Sequence, residues 1–193
     1  MIENSWLARM SDRAVLRDLA IGLVCGALLI ATAPARLRPQ PPADSLGIRE
    51  GRVGHVVMGV SIDSLYRTVG KQRTRLIDRF REGQFDPAIE IRLGSPAAEP
   101  TMLVEVATSP CGPVVGRIEV FDPRFRTASG LHVGSTLADV RRQHPVRISH
   151  EEGLRAWSPR LPMTFELDDD RPASKVRAIA VFTVTTRVTC IND

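Results

Sequence analysis

The chain has 193 residues, 43% apolar and 25% charged, proportions of an ordinary globular protein that exclude a collagen, a coiled coil and a disordered polymer. Its formal charge is +4, and of its 26 basic residues all but Lys71 and Lys175 are arginines. With an N-terminal leader and linker set aside, about 140 residues remain, enough for one ordinary core or two intimately packed half-domains.

Residues 19–33 carry no charge and are bounded by Arg9, Arg13 and Arg17 on one side and Arg36 and Arg38 on the other. The run is shorter than the roughly 20 apolar residues of a membrane-spanning helix and fits the apolar region of a signal peptide. Ala31-Thr32-Ala33 and Ala33-Pro34-Ala35 both set small residues at cleavage spacing. Residues 1–35 therefore read as a signal peptide or an uncleaved membrane anchor, and 36–50 as a Pro-rich linker leaving the membrane. The body is expected in the periplasm or outside the cell, held to the inner membrane through residues 19–33 where the leader stays uncut. Cys25 follows Val24 rather than the small residue that lipidation requires, and reads as a small hydrophobe of the leader. That leaves Cys111 and Cys190 as an even pair in an oxidising compartment, a candidate disulfide.

The first body segment, 51–58, reads as extended and leads into a helix. Ser61 is its cap, Asp63 sits in its first turn, Ile62, Leu65, Tyr66 and Val69 share one face, and Gly70 ends it. Residues 73–80 read either as a strand or as a continuation of that helix. Segments 88–93, 102–106 and 115–121 alternate with period two and are divided by Gly94-Ser95-Pro96 and Ser109-Pro110-Cys111-Gly112-Pro113. A second helix begins at Thr136, with Asp139 completing a capping box, Leu137, Val140 and His144 on one face, and Pro145 as the stop. Segments 146–149, 154–157, 164–167 and 175–190 follow as strands. Residues 59–70 lie on 134–145 without a gap, cap on cap. On that likeness the expected fold class is α+β: two tandem helix-plus-antiparallel-meander repeats, 51–126 and 127–193, packed as one body.

The chemistry-bearing residues form no recognisable constellation. His55, His132, His144 and His150 have no metal-ligand spacing with one another or with Cys, and there is no Gly-x-Ser-x-Gly elbow. Residues 130–136 set glycines and hydroxyls before a helix start in the manner of an ordinary cap. Glu166, Asp168, Asp169 and Asp170 read as a solvated hairpin turn lacking the glycine of a calcium loop. Arg67, Lys71, Arg73, Arg75, Arg79 and Arg81 form the densest basic cluster; with only Tyr66 and Phe80 nearby it reads as a solvated face, and no nucleic-acid partner is expected. The sequence assigns no catalytic, cofactor-binding or metal-binding residue. Phe125, flanked by Arg124 and Arg126 at the boundary between the halves, is a candidate partner contact, since aromatics and arginines are over-represented where proteins bind.

The motif Gly-x-Ser/Thr-x-x-x-Leu/Val on a capped helix followed by a meander, at residues 59–65 and 134–140, resembles the small bacterial envelope modules of the outer-membrane assembly lipoprotein E family. In doubled form it also looks like the β-lactamase inhibitory protein. The resemblance implies a non-catalytic cell-envelope binding or scaffold protein that acts through contacts with an envelope protein partner. The alternative is a small secreted hydrolase or enzyme-inhibitor-like effector, its site assembled from singletons such as His150, Glu151 and Glu152.

Overall fold

The computed structural model describes residues 43–81, 83–94, 99–151 and 153–183. The leader, most of the linker, Glu152 and Cys190 lie outside them. Described residues belong to one unit, Pro39–Asp193.

A 3-10 turn, Ala43–Leu46, leads into three very short strands, β1 (Gly47–Arg49), β2 (Arg52–Val53) and β3 (Val56–Val57). Glycines make such tight returns feasible: Gly54 has φ 54°, and a Cβ there would stand 2.5 Å from the Ser45 carbonyl oxygen and 3.1 Å from the Phe125 ring. Helix α1 (Ile62–Val69) comes next, its cap Ser61 accepting from the Ser64 amide. It buries Leu65 and Val69. A four-strand run follows: β4 (Thr74–Arg81), β5 (Gln84–Ile91), β6 (Met102–Ser109) and β7 (Gly112–Val120). Strand β8 (Arg126–Thr127) pairs parallel with β1 and completes a small sheet of order β3-β2-β1-β8.

Helix α2 (Leu137–Gln143) is held by the capping box expected of Thr136 and Asp139 and buries Leu137 and Val140. After it come β9 (Arg147–Ser149), β10 (Arg155–Trp157), β11 (Met163–Leu167) and β12 (Val176–Val181). β12 pairs with β7, so the large sheet is a single antiparallel array of order β4-β5-β6-β7-β12-β11-β10-β9.

The fold class therefore needs correction. The described chain is mostly β, with twelve strands in two sheets and only two helices, rather than an α+β arrangement of two helix-plus-meander repeats. The helices are short, at eight and seven residues, so neither forms a layer of its own. Residues read as a simple approach to the first helix, and residues at the boundary between halves, are instead strands of a second sheet.

One face of the large sheet is apolar. Ile89, Ile91, Met102, Val104, Ile118, Val120, Phe165, Ile179 and Val181 join Leu65 and Val69 of α1 and Leu137 and Val140 of α2 in a continuous buried core. The small sheet adds Ile48, Val53 and Val56, and Phe125 and Leu131 close the same core. Because side chains alternate across a strand, the opposite face of the sheet is set by the intervening residues, among which arginines and glutamates predominate.

Candidate functional site

Strand register places one residue from each of the eight strands in a single row across the polar face: Arg75, Glu90, Leu103, Glu119, Ala180, Thr164, Trp157 and Arg147. Two shorter rows flank it. Glu105 stands opposite Arg117, and Glu166 stands between Ala178 and Arg155.

These side chains form a lattice of ion pairs. Glu90 receives Arg75 and Arg92 at 3.0 Å each. Glu105 receives Arg79 at 3.0 Å and Arg81 at 2.8 Å, with Arg117 at 3.8 Å. Glu119, only 1% exposed, is met by Arg79 at 3.0 Å and Arg117 at 3.3 Å. Glu166 is ringed more loosely by Arg117 at 3.9 Å, Arg155 at 4.0 Å and Arg177 at 3.4 Å. Seven arginines thus share four glutamates. The face keeps a surplus of positive charge suited to anionic groups. Hydrogen bonds from Arg75 hold the Glu90 carboxyl below its ordinary range, opposed by burial and aided by Arg92. Burial disfavours the charged form of Arg79, but bonds and attraction to Glu119 and Glu105 outweigh it and leave the guanidinium more basic than usual.

At one end of the sheet the strand pairing changes. β5 pairs with β6 only from Ala88 to Ile91. Pro87, which has no N–H to donate, stands where that ladder stops, so Asp78–Arg81 and Gln84–Pro87 continue as a two-stranded ribbon. A cavity of ≈ 250 Å³ lies beside it, lined by Arg79, Arg81, Asp86, Pro87, Ala88, Glu105 and Val106. On the other face of β4 and β5, Phe80 and Phe85 of the ribbon are 63% and 69% exposed, and Leu76, opposite Ile89 where β5 still pairs with β6, is 64% exposed. The two phenyl rings touch at a centroid distance of 5.1 Å.

At the opposite end an open cleft of ≈ 730 Å³ is lined by Arg147, Ile148, Ser149, His150, Glu151, Arg155, Trp157 and Thr164. His150 and Glu151, singled out in sequence, therefore do meet in one place. Among the described residues, the contact between the polar groups of 149–151 is a 3.4 Å donation from the Glu151 amide to Ser149 Oγ.

The boundary residues behave differently from one another. Phe125 is 0% exposed, so its ring is core and unavailable to a partner. Arg124 is exposed and binds Asp122, its Nε 2.9 Å from Oδ2. Arg126 donates to His132 Nδ1 at 2.9 Å, drawing the loop in on itself. Cys111 lies in the turn between β6 and β7, and its expected partner Cys190 is outside the described residues. Among the described residues no group of His, Cys, Asp and Glu is arranged to hold a metal ion, and no helix is long and apolar enough to cross a membrane.

Sequence reading did not single out the ribbon aromatics. Their signal was present: Phe80 and Phe85 flank the turn at Gly83, whose φ is 85°, and a hairpin with that register sets them directly opposite. The basic cluster read as a solvated face is partly engaged, since Arg75, Arg79 and Arg81 are bound to glutamates on neighbouring strands.

A mostly-β body built on one eight-stranded antiparallel sheet, with an arginine-rich polar face, is thus what the geometry defines. The fold is similar to that of the uncharacterized protein YfeY from Escherichia coli, with a TM-score of 0.53 and 14% identity over 72% of this chain and 99% of that one. No family model and no curated protein matches the chain.

Proposed function

We propose that this protein is a non-catalytic binding or scaffold module of the cell envelope, acting through contacts with another envelope protein made by the β4–β5 ribbon. The observation that carries this reading is the exposure of the touching pair Phe80 and Phe85 on one face of the ribbon, with Leu76 further along the same face of β4. Contiguous exposed apolar side chains rimmed by charge are costly to leave in water and commonly mark contact surfaces. Residues 19–33 support an envelope location by their composition, as export signal or anchor.

The test is site-specific photo-crosslinking in intact cells, with the probe at Phe85, at Arg124 or at Arg141 on the exposed side of α2. Discrete adducts from position 85, lost in the Phe80→Ser variant, are expected. Adducts from position 124 alone would move the contact to the boundary loop, and none from either would overturn the reading.

A second reading, a small secreted hydrolase, draws support from the cleft that gathers Ser149, His150 and Glu151. A nucleophile needs its base within hydrogen-bond reach. No such bond joins Ser149 and His150 among the described residues, so the binding reading is preferred.

A further inference from the structure

The cleft at the β9–β11 end has a composition the ribbon reading does not use. Its floor is the end of the long cross-sheet row, Arg147, Trp157 and Thr164, on three adjacent strands. Two strand spacings separate the first from the last, about 10 Å, and the indole stands between them.

Each of the three has an unmet demand. Arg147 is exposed and makes no ion pair among the described residues. Trp157 is half-buried and lines the cleft, offering with Ile148 its apolar surface among otherwise polar side chains. The Thr164 Oγ1 is buried and finds no hydrogen-bond partner among the described residues. Polar atoms so placed are uncommon in folded proteins, and Thr164 lines the cleft. Ser149, His150 and Glu151 form the rim.

We infer that this cleft binds an acidic sugar, a pyranose ring bearing a carboxylate, with the carboxylate on Arg147, the ring over Trp157 and a ring hydroxyl on Thr164. Guanidinium matches carboxylate in a bidentate pair. An indole surface suits the apolar face of a pyranose, whose hydroxyls need donors and acceptors together; Ser149 and Thr164 supply both, and Glu151 accepts. A polyphosphate is a poorer match, because Glu151 on the rim and Glu166 behind Arg155 oppose dense negative charge. The volume falls within the range of small-ligand sites, and the open shape admits an interior unit of a longer glycan.

The experiment uses the full chain carrying Trp6→Phe, which leaves Trp157 as the only indole. Indole fluorescence and the indole N–H resonance are followed during titration with trigalacturonate, with maltotriose as the neutral counterpart and with inorganic phosphate and AMP as other anions. Saturable shifts with trigalacturonate and none with maltotriose are expected. Arg147→Gln should weaken binding about ten- to a hundredfold, the range for a lost hydrogen bond to a charged group. Thr164→Val, of the same shape, should weaken it by a smaller factor, with both variants melting as the parent does. No response to trigalacturonate, an equal response to phosphate or AMP, or unchanged affinity in Arg147→Gln would each overturn the inference. None of these results bears on the ribbon, which three strands, β6, β7 and β12, separate from the cleft.

Discussion

Arg79 on β4 places Nη1 3.0 Å from Oε2 of Glu119 on β7, although β5 and β6 lie between them in the sheet order. In a flat sheet three strand spacings would hold those strands about 14 Å apart. The two long side chains span that interval across the polar face, beside the point at Pro87 where the β5–β6 ladder ends. On the opposite face of β4 and β5, which elsewhere is core, Leu76, Phe80 and Phe85 stand in solvent.

Removing the tie should release the ribbon. Arg79→Met leaves the buried Glu119 with Arg117 alone, and breaking a mostly buried pair that keeps some solvent access is expected to destabilise by about 2 kcal/mol. Urea denaturation measures the loss, and amide exchange should rise in 78–87 before the rest of the sheet. Unchanged stability together with unchanged exchange would show that Arg79 holds nothing in place.

Acid should weaken the fold through identifiable carboxylates. Glu90, Asp139 and Asp169 have folded-state pKa values lowered first of all by hydrogen bonds, from Arg75, Thr136 and Arg171 respectively. In Asp122 burial pushes the other way, but bonds from Arg124 prevail and the value is also lowered. A lowered folded value means the charged form is favoured by folding, so the contribution is complete above the unfolded values of 4.5 for Glu and 3.8 for Asp and disappears as pH falls through the folded ones. Melts at pH 7, 4.5 and 3 should show the loss below pH 4.5, and Glu90→Gln should lessen its steepness.

Helix α2 depends on its cap. Thr136→Ala removes the hydroxyl that accepts from the Asp139 amide and donates to the Asp139 carboxylate, and should cost about 1 kcal/mol. Leu137→Ala beside it opens a cavity at a wholly buried site and should cost about 2–5 kcal/mol. A smaller loss at Leu137 than at Thr136 would mean that α2 contributes little to the core.

The candidate bridge between Cys111 and Cys190 gives a mass prediction. The protein, isolated without reductant, should weigh two hydrogens less than its reduced form, and Cys111→Ser should abolish that difference. In the chain-entropy model a closed loop of about 80 residues contributes roughly 4 kcal/mol, so the variant should melt well below the parent. Equal masses before and after reduction would dismiss the bridge.

Local features were legible from residue order. Ser61 and the Thr136–Asp139 box cap the two helices because a hydroxyl or carboxylate next to free amides acts within three residues of chain. The strands from 88 to 121 showed themselves by alternation, and the turn at Asp169 by acids beside Arg171 and Ser174, which Asp169 indeed contacts. The segment 73–80, ambiguous between helix and strand, is strand β4, since Phe85 to Ile91 offer it a partner across a tight turn.

Sequence by itself determined where helices begin, which residues alternate, and that the chain carries a leader-like apolar run. Tertiary structure alone decided that β7 and β12 join into one sheet, that Phe125 is core rather than contact, and that the arginines of β4 reach glutamates two and three strands away. The reason is range. Caps and alternation depend on neighbours a few residues apart, whereas strand order depends on pairings between segments whose own composition is nearly the same whichever neighbour they take.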